Sequence, residues 1–299
     1  MVSSQKRIQQ GFRLLQSCTV CPRACKVNRL KGELGYCHTG RKIQISSFAV
    51  HHGEEPPLSG IKGAGNIFIT GCNLSCVFCQ NYPISQMHHG KEYTSKEVVE
   101  KLLYLQNKQK VHNIIFVTPS HVIPQIIEII QEAKKKGLHI PIGYNSSGYD
   151  SVPSLKLLEG IIDIYLPDFK YSDETLAKKY SHAPGYKNIA TKAIQEMIRQ
   201  VGPLKIGRDG IAKKGVLIRH LVLPSHEKES VRVLQHIAKQ FTTKIPVSVM
   251  NQYFPAYKVI AEKKFSALNR NVTEKEYENV LKVFHRLGLE GYYQKKEEC

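Results

Sequence analysis

Three cysteines fall within the stretch TGCNLSCVFCQNY (residues 70–82): Cys72, Cys76 and Cys79, spaced C-x3-C-x2-C. Thiolates this dense bind soft metals, and sites that only hold structure together close with four ligands. Three ligands leave one metal position for something other than the protein. On a cubane [4Fe–4S] cluster they leave one iron open, and an open iron is able to chelate the amine and carboxylate of a methionine-like molecule. Phe78, directly before the third cysteine, offers an apolar cover. The same residues also read as a zinc site with a distant fourth ligand, His88 or His89.

A second group, Cys18, Cys21, Cys25 and Cys37, runs C-x2-C-x3-C-x11-C, with Pro22 and Gly35 to turn the chain. Four soft ligands complete a site. A structural zinc would staple a segment that lacks its own core, and a second [4Fe–4S] cluster is the alternative. Pairwise disulfides are a third reading, disfavoured in a reducing compartment. The eighth cysteine, Cys299, is terminal and reads as incidental. His38, His51, His52, His88 and His89 lie in sequence near the two groups and read mostly as loop residues. His121, at a strand end, has access to a pocket there.

The elements that must position these residues follow from periodicity. Residues 1 to about 60 show no long periodic segment. Beyond them, short β-branched runs at 66–70, 113–117, 140–145, 161–166, 215–223 and 246–251 predict strands. Amphipathic patterns predict helices at 95–106, 123–137, 192–202, 229–240 and 273–288, the last opened by a Thr273–Glu276 capping box. Strand–helix units in succession imply a parallel sheet, because parallel strands need crossovers. Six such strands fit an incomplete (β/α)8 barrel or a doubly wound sheet, and in both the ligands gather at the C-terminal ends of the strands. The cysteine triad directly follows the first strand and therefore lies on that catalytic edge. Arg219 sits inside an apolar strand and requires a buried partner or a ligand. His220, its neighbour, points to the opposite face.

The 299 residues include 43 Lys and Arg against 25 Asp and Glu, a formal charge of +18 spread along the chain. A solvated basic surface or an acidic partner accounts for this. With no Trp and no basic–aromatic platform, nucleic acid is not the expected partner. No run reaches the roughly 18 apolar residues of a membrane span, and the basic N-terminus has no apolar core of a secretory signal. The expected location is cytoplasmic.

The triad with its aromatic and preceding strand, together with YNSSGYD, DIYLPDFKYSD, IRHLVLP and MNQYFP, resembles the radical S-adenosylmethionine (SAM) superfamily. Within it, the chain looks like the pyruvate formate-lyase-activating-enzyme branch, in particular its subgroup with an N-terminal cysteine segment. The resemblance runs from about Cys18 to the final helix. It implies an α/β fold, a partial (β/α)6 TIM-type barrel over residues 61–299, with a small cysteine-rich metal-binding extension over residues 1–60. It implies a [4Fe–4S] cluster on Cys72, Cys76 and Cys79, and SAM as the molecule on the open iron. In that family the reduced cluster gives one electron to the sulfonium, releasing methionine and a 5′-deoxyadenosyl radical that abstracts hydrogen from a substrate.

Residue by residue, the resemblance implies that Asp168 belongs to a monovalent-cation site beside the SAM carboxylate. Lys170 lies close to that carboxylate, and Arg219 near the nucleoside. Asn145 and Ser146 are placed among the cofactor contacts, Asn145 where activating enzymes carry an aspartate at the cation site. Without the resemblance, Asp168 and Lys170 read as a surface pair worth under about 1 kcal/mol. One further departure is that VTPSH (117–121) stands where the activating enzymes end their second strand with Gly-Gly-Glu, so backbone carbonyls, Thr118 or Ser120 must hold the ammonium. The implied activity is an oxidoreductase that activates a glycyl radical enzyme, with flavodoxin or ferredoxin as electron donor. Alternatives are a radical SAM enzyme acting on another side chain or a small metabolite, and a non-catalytic metal protein in electron transfer or scaffolding.

Overall fold

The computed structural model describes residues 4–294, so Cys299 lies outside the described residues. The strands are β1 (Ile43–His51), β2 (Ala64–Ile69), β3 (Lys91–Tyr93), β4 (Ile114–Val117), β5 (Ile142–Ser146) and β6 (Ile164–Pro167). They continue with β7 (Lys205–Ile206), β8 (Ala212–Val216), β9 (Ile218–Leu221), β10 (Val247–Met250) and β11 (Gly291–Tyr293). One sheet runs β3-β1-β2-β4-β5-β6-β8-β7 and the other β11-β10-β9. A parallel bridge between Asp168 and Arg219 joins them. From β2 through β6 and on through β9, β10 and β11, neighbouring strands are parallel. This is the partial barrel expected from the sequence, with all six expected strands present.

The run at 215–223 forms two strands instead of one. Its first half pairs with β6, and its second half changes partner to β10. The antiparallel strands β1 and β3 were not expected. In β1, IQISSFAVH, polar residues break the apolar alternation, and pairing with the edge of β2 recruits the strand. This pairing carries the N-terminal segment onto the barrel sheet before residue 60. The helix Ser4–Arg13, also unexpected, packs on Ile123–Lys135, with Gly11 against Pro124. The helix Tyr186–Val201 begins earlier than its periodicity showed, and Glu174–Ser181 is an addition. Glu274–Arg286 carries the expected capping box on Thr273 and Glu276.

Register places Ile115 beside Gly143 and Gly143 beside Ile164, so these positions share one face of the parallel sheet. Ile115, Ile164, Leu166, Ala212 and Leu217 form an apolar cluster separate from the main core. Leu58, from the short helix Pro56–Ser59, packs among them. The β1–β2 connection therefore packs onto the face of the sheet that carries these residues. No helix among the described residues is long and apolar enough to cross a membrane.

Candidate active site

The triad loop leaves β2 through Gly71, whose φ is +77°. A Cβ there would come within 2.5 Å of the Cys37 carbonyl oxygen, so glycine alone lets the loop pass. Leu74 and Val77 anchor the loop in the core. Ser75 N and Val77 N donate to the carbonyls of Ser181 and Tyr180, at 3.2 and 2.8 Å. Between these anchors Cys72, Cys76 and Cys79 remain partly exposed. Leu74 N donates to Cys72 Sγ at 3.3 Å. Cys76 Sγ lies 2.9 Å from Ser181 Oγ, which is 2.8 Å from the Tyr171 hydroxyl. Cys79 Sγ lies 3.2 Å from Ser85 Oγ. Phe78 is buried and meets Tyr253 edge-on, at 6.0 Å between ring centres.

Asp168 and Lys170 follow β6 and face the triad. Their side chains pair at 2.5 Å, and both are largely buried, unlike the surface pair the bare sequence allows. Burial opposes the charge of Lys170, but Asp168 and the sulfurs of Cys76 and Cys79 more than offset it and hold the ammonium protonated. Burial pushes the Cys76 thiol up to about 11, with Lys170 opposing. The Cys72 thiol is raised further, by burial and then by Cys76. Ligation here must therefore release protons. The backbone under Asp168 is set by two contacts. Gly148, at φ +72°, lets the Asp168 carbonyl approach, since a Cβ would sit 2.2 Å from it. The Tyr186 hydroxyl accepts from Lys170 N at 2.9 Å and lies 3.0 Å from the Asp168 carbonyl.

Asn145 is half-buried at the end of β5, where the Thr118 amide donates to its carbonyl at 2.9 Å. Thr118 has φ +61°, a left-handed conformation that a β-branched residue adopts at a cost of about 1–3 kcal/mol. Strain of this kind marks functional loops, and here it lies where VTPSH departs from the activating enzymes.

Two expected contacts fall elsewhere. The Ser146 hydroxyl donates to the buried Asp150 carboxylate at 2.6 Å, and Asp150 also bonds Tyr144 and Ser120. Alternation along β5 turns Ser146 away from the face that carries Asn145. Arg219 is buried and bound by two glutamates. Its Nη2 pairs with Glu54 at 2.5 Å and with Glu55, and its Nε donates to Glu55 at 3.0 Å. The guanidinium is thus held by the chain's own carboxylates rather than presented to a nucleoside. Burial alone would raise the Glu54 carboxyl, but Arg219 and the Asn66 amide hold it below the usual range. Glu54 and Glu55 were missed in the sequence; the available signal was the buried partner that Arg219 requires. Ser181, on a helix that was itself missed, left no sequence signal.

His220 is buried, with Nδ1 2.8 Å from the Phe169 carbonyl. His121 is buried beside Thr70 and lines the four-cysteine cavity. The His88 ring packs on His38, at 5.2 Å between centres. Among the described residues no three Cys, His, Asp or Glu side chains are arranged to hold a single metal ion.

Residues 66–231 match the radical SAM superfamily. The chain belongs to that superfamily. Membership implies a [4Fe–4S] cluster and SAM, and the three cysteines of the triad are soft ligands of the kind such a cluster takes. The chain is 29% identical, over 96% of its length and 80% of the relative's, to an uncharacterised protein of Methanocaldococcus jannaschii. It is 27% identical to the pyruvate formate-lyase-activating enzyme of Clostridium pasteurianum, over 76% of this chain and 88% of that one. Among solved structures, methylornithine synthase shares the fold with a TM-score of 0.51 at 12% identity, covering 98% of this chain and 79% of the other.

Proposed function

We propose that this radical SAM enzyme activates a glycyl radical enzyme by abstracting hydrogen from a glycine on a loop of its partner. When bound, the cluster supplies the electron that cleaves SAM to methionine and the 5′-deoxyadenosyl radical. Cys72, Cys76 and Cys79 hold the cluster. Lys170, kept cationic and aimed by Asp168, binds the carboxylate of SAM. Asn145 contributes an amide oxygen beside them, and the carbonyls around the strained Thr118 take the ammonium. Phe78 and Tyr253 exclude water from the sulfurs.

The observation that carries the reading is the Asp168–Lys170 pair facing the three sulfurs, in a chain similar to an activating enzyme over most of its length. Access for a peptide supports it. Met87 and Phe254, both more than half exposed, lie on the segments that follow the triad and β10, and they offer an apolar rim. The charge of +18 suits an acidic partner.

The test is anaerobic. Reduced protein and SAM are mixed with glycyl radical enzymes from the same genome, and EPR is recorded for a glycyl doublet. The expected result is a doublet that vanishes in Cys76→Ala. Formation of 5′-deoxyadenosine with no doublet from any candidate would assign the radical to another side chain or a small metabolite, and the activase reading would fall.

A further inference from the structure

Cys18, Cys21, Cys25 and Cys37 line one small, largely enclosed pocket, shared with Arg29 and Asn73. Four thiolates suit either a zinc ion or a [4Fe–4S] cluster, and of the two only the cluster carries an electron.

Arg29 is 1% exposed. Its Nη1 donates to the His121 carbonyl at 2.7 Å and lies 3.9 Å from Cys18 Sγ. Its Nε and Nη2 donate to the Gly40 carbonyl at 3.2 and 2.9 Å. None of these partners is a carboxylate. A buried guanidinium without a countercharge is costly. Thiolates joined in an anionic metal centre supply that charge; neutral thiols or disulfides do not.

The cavity also abuts the active site. Asn73 lines it, and the next residue back is Cys72. Gly71 passes against the Cys37 carbonyl. Arg23 Nε donates to the Asn73 carbonyl at 2.8 Å, and the Tyr36 hydroxyl bonds Ser75 Oγ at 2.7 Å. The segments that carry the two thiol groups are thus in direct contact.

We propose that Cys18, Cys21, Cys25 and Cys37 hold a second, redox-active [4Fe–4S] cluster that feeds electrons singly to the centre on Cys72, Cys76 and Cys79. A reduced carrier of the flavodoxin or ferredoxin class is oxidised by one electron. The four-cysteine centre accepts that electron and returns to its starting state as the triad centre is reduced by one. No bond is made or broken. Arg29 is the countercharge that favours the reduced form. The inference rests on radical SAM membership and is independent of which substrate the radical attacks.

The full-length protein, purified and reconstituted anaerobically, is expected to hold about eight iron and eight sulfide per chain. A Cys18→Ala/Cys21→Ala/Cys25→Ala variant should keep about four iron and an EPR signal that shifts on adding SAM. A Cys72→Ala/Cys76→Ala/Cys79→Ala variant should keep about four iron with a signal indifferent to SAM. Spin–spin broadening in the fully reduced wild type should disappear in both. About four iron and one zinc in the wild type would overturn the proposal, as would a triad variant without iron. With reduced flavodoxin, stopped-flow reduction of the triad centre should slow at least about tenfold in the first variant; an unchanged rate would refute the relay. Arg29→Met keeps all four thiols and should move the SAM-indifferent signal to a more negative potential. An unmoved potential would remove Arg29 from the assignment.

Discussion

The two cysteine groups lie side by side and are built for opposite ends. The triad cysteines are half-buried, their sulfurs flanked by the hydroxyls of Ser181 and Ser85, and they face the Asp168–Lys170 pair. Of the N-terminal group, Cys18, Cys21 and Cys37 are buried, with the guanidinium of Arg29 close to Cys18. One group stands beside a buried ion pair, the other beside a single buried cation. Two buried arginines mark the same division. Arg219 has Glu54 and Glu55 as partners, whereas Arg29 has carbonyls and a sulfur.

The largest expected effect separates the two thiol groups. With dithionite as reductant, Cys76→Ala should abolish the SAM-responsive EPR signal and 5′-deoxyadenosine formation. Cys25→Ala should leave both intact. Loss of both in the Cys25 variant would mean that the groups form one cooperative site, and the comparison would break.

The arginines come next. In metal-free protein, Arg219→Met strands two buried carboxylates and should cost about 3–5 kcal/mol in urea denaturation. Arg29→Met removes a cation that then has no countercharge and should be neutral or stabilising. Equal losses would erase the distinction. The sign with pH is also fixed. Arg219 keeps Glu54 ionised below the usual carboxylate range, so this contribution is complete above that range and disappears as pH falls through it. In Arg219→Met, Glu54 keeps only the Asn66 amide and His51 against its burial, so acid should neutralise it more readily and shrink the deficit.

A smaller effect tests the triad site. Lys170→Met removes one charge-assisted hydrogen bond, about 1.5–3 kcal/mol, and should weaken SAM binding about tenfold to a hundredfold by equilibrium dialysis. Iron content should not change. Unchanged affinity would return Asp168 and Lys170 to the status of a structural pair. The smallest shift is expected for Ser181→Ala. Losing one neutral hydrogen bond of about 1 kcal/mol to Cys76 should lower the potential of the triad centre by about 40 mV in a redox titration. No shift would show that the Tyr171–Ser181 pair serves packing alone.

Sequence determined the candidate site, because C-x3-C-x2-C with its aromatic is local: three cysteines within one loop need no tertiary contact to be recognised. It determined the six parallel strands, whose apolar runs are set by burial on both faces. It also determined that Arg219 requires a partner, since the penalty for an unpaired buried charge holds in any fold. Tertiary structure alone decided who that partner is. Glu54 and Glu55 lie 165 and 164 positions away and reach Arg219 through the β1–β2 connection. It decided that β1 joins the sheet, which follows from pairing rather than periodicity, and that Ser146 faces Asp150, which follows from the pleat. It also placed the N-terminal thiols against Asn73. Spacing along the chain fixes what four cysteines are able to bind, and only packing fixes what they stand beside.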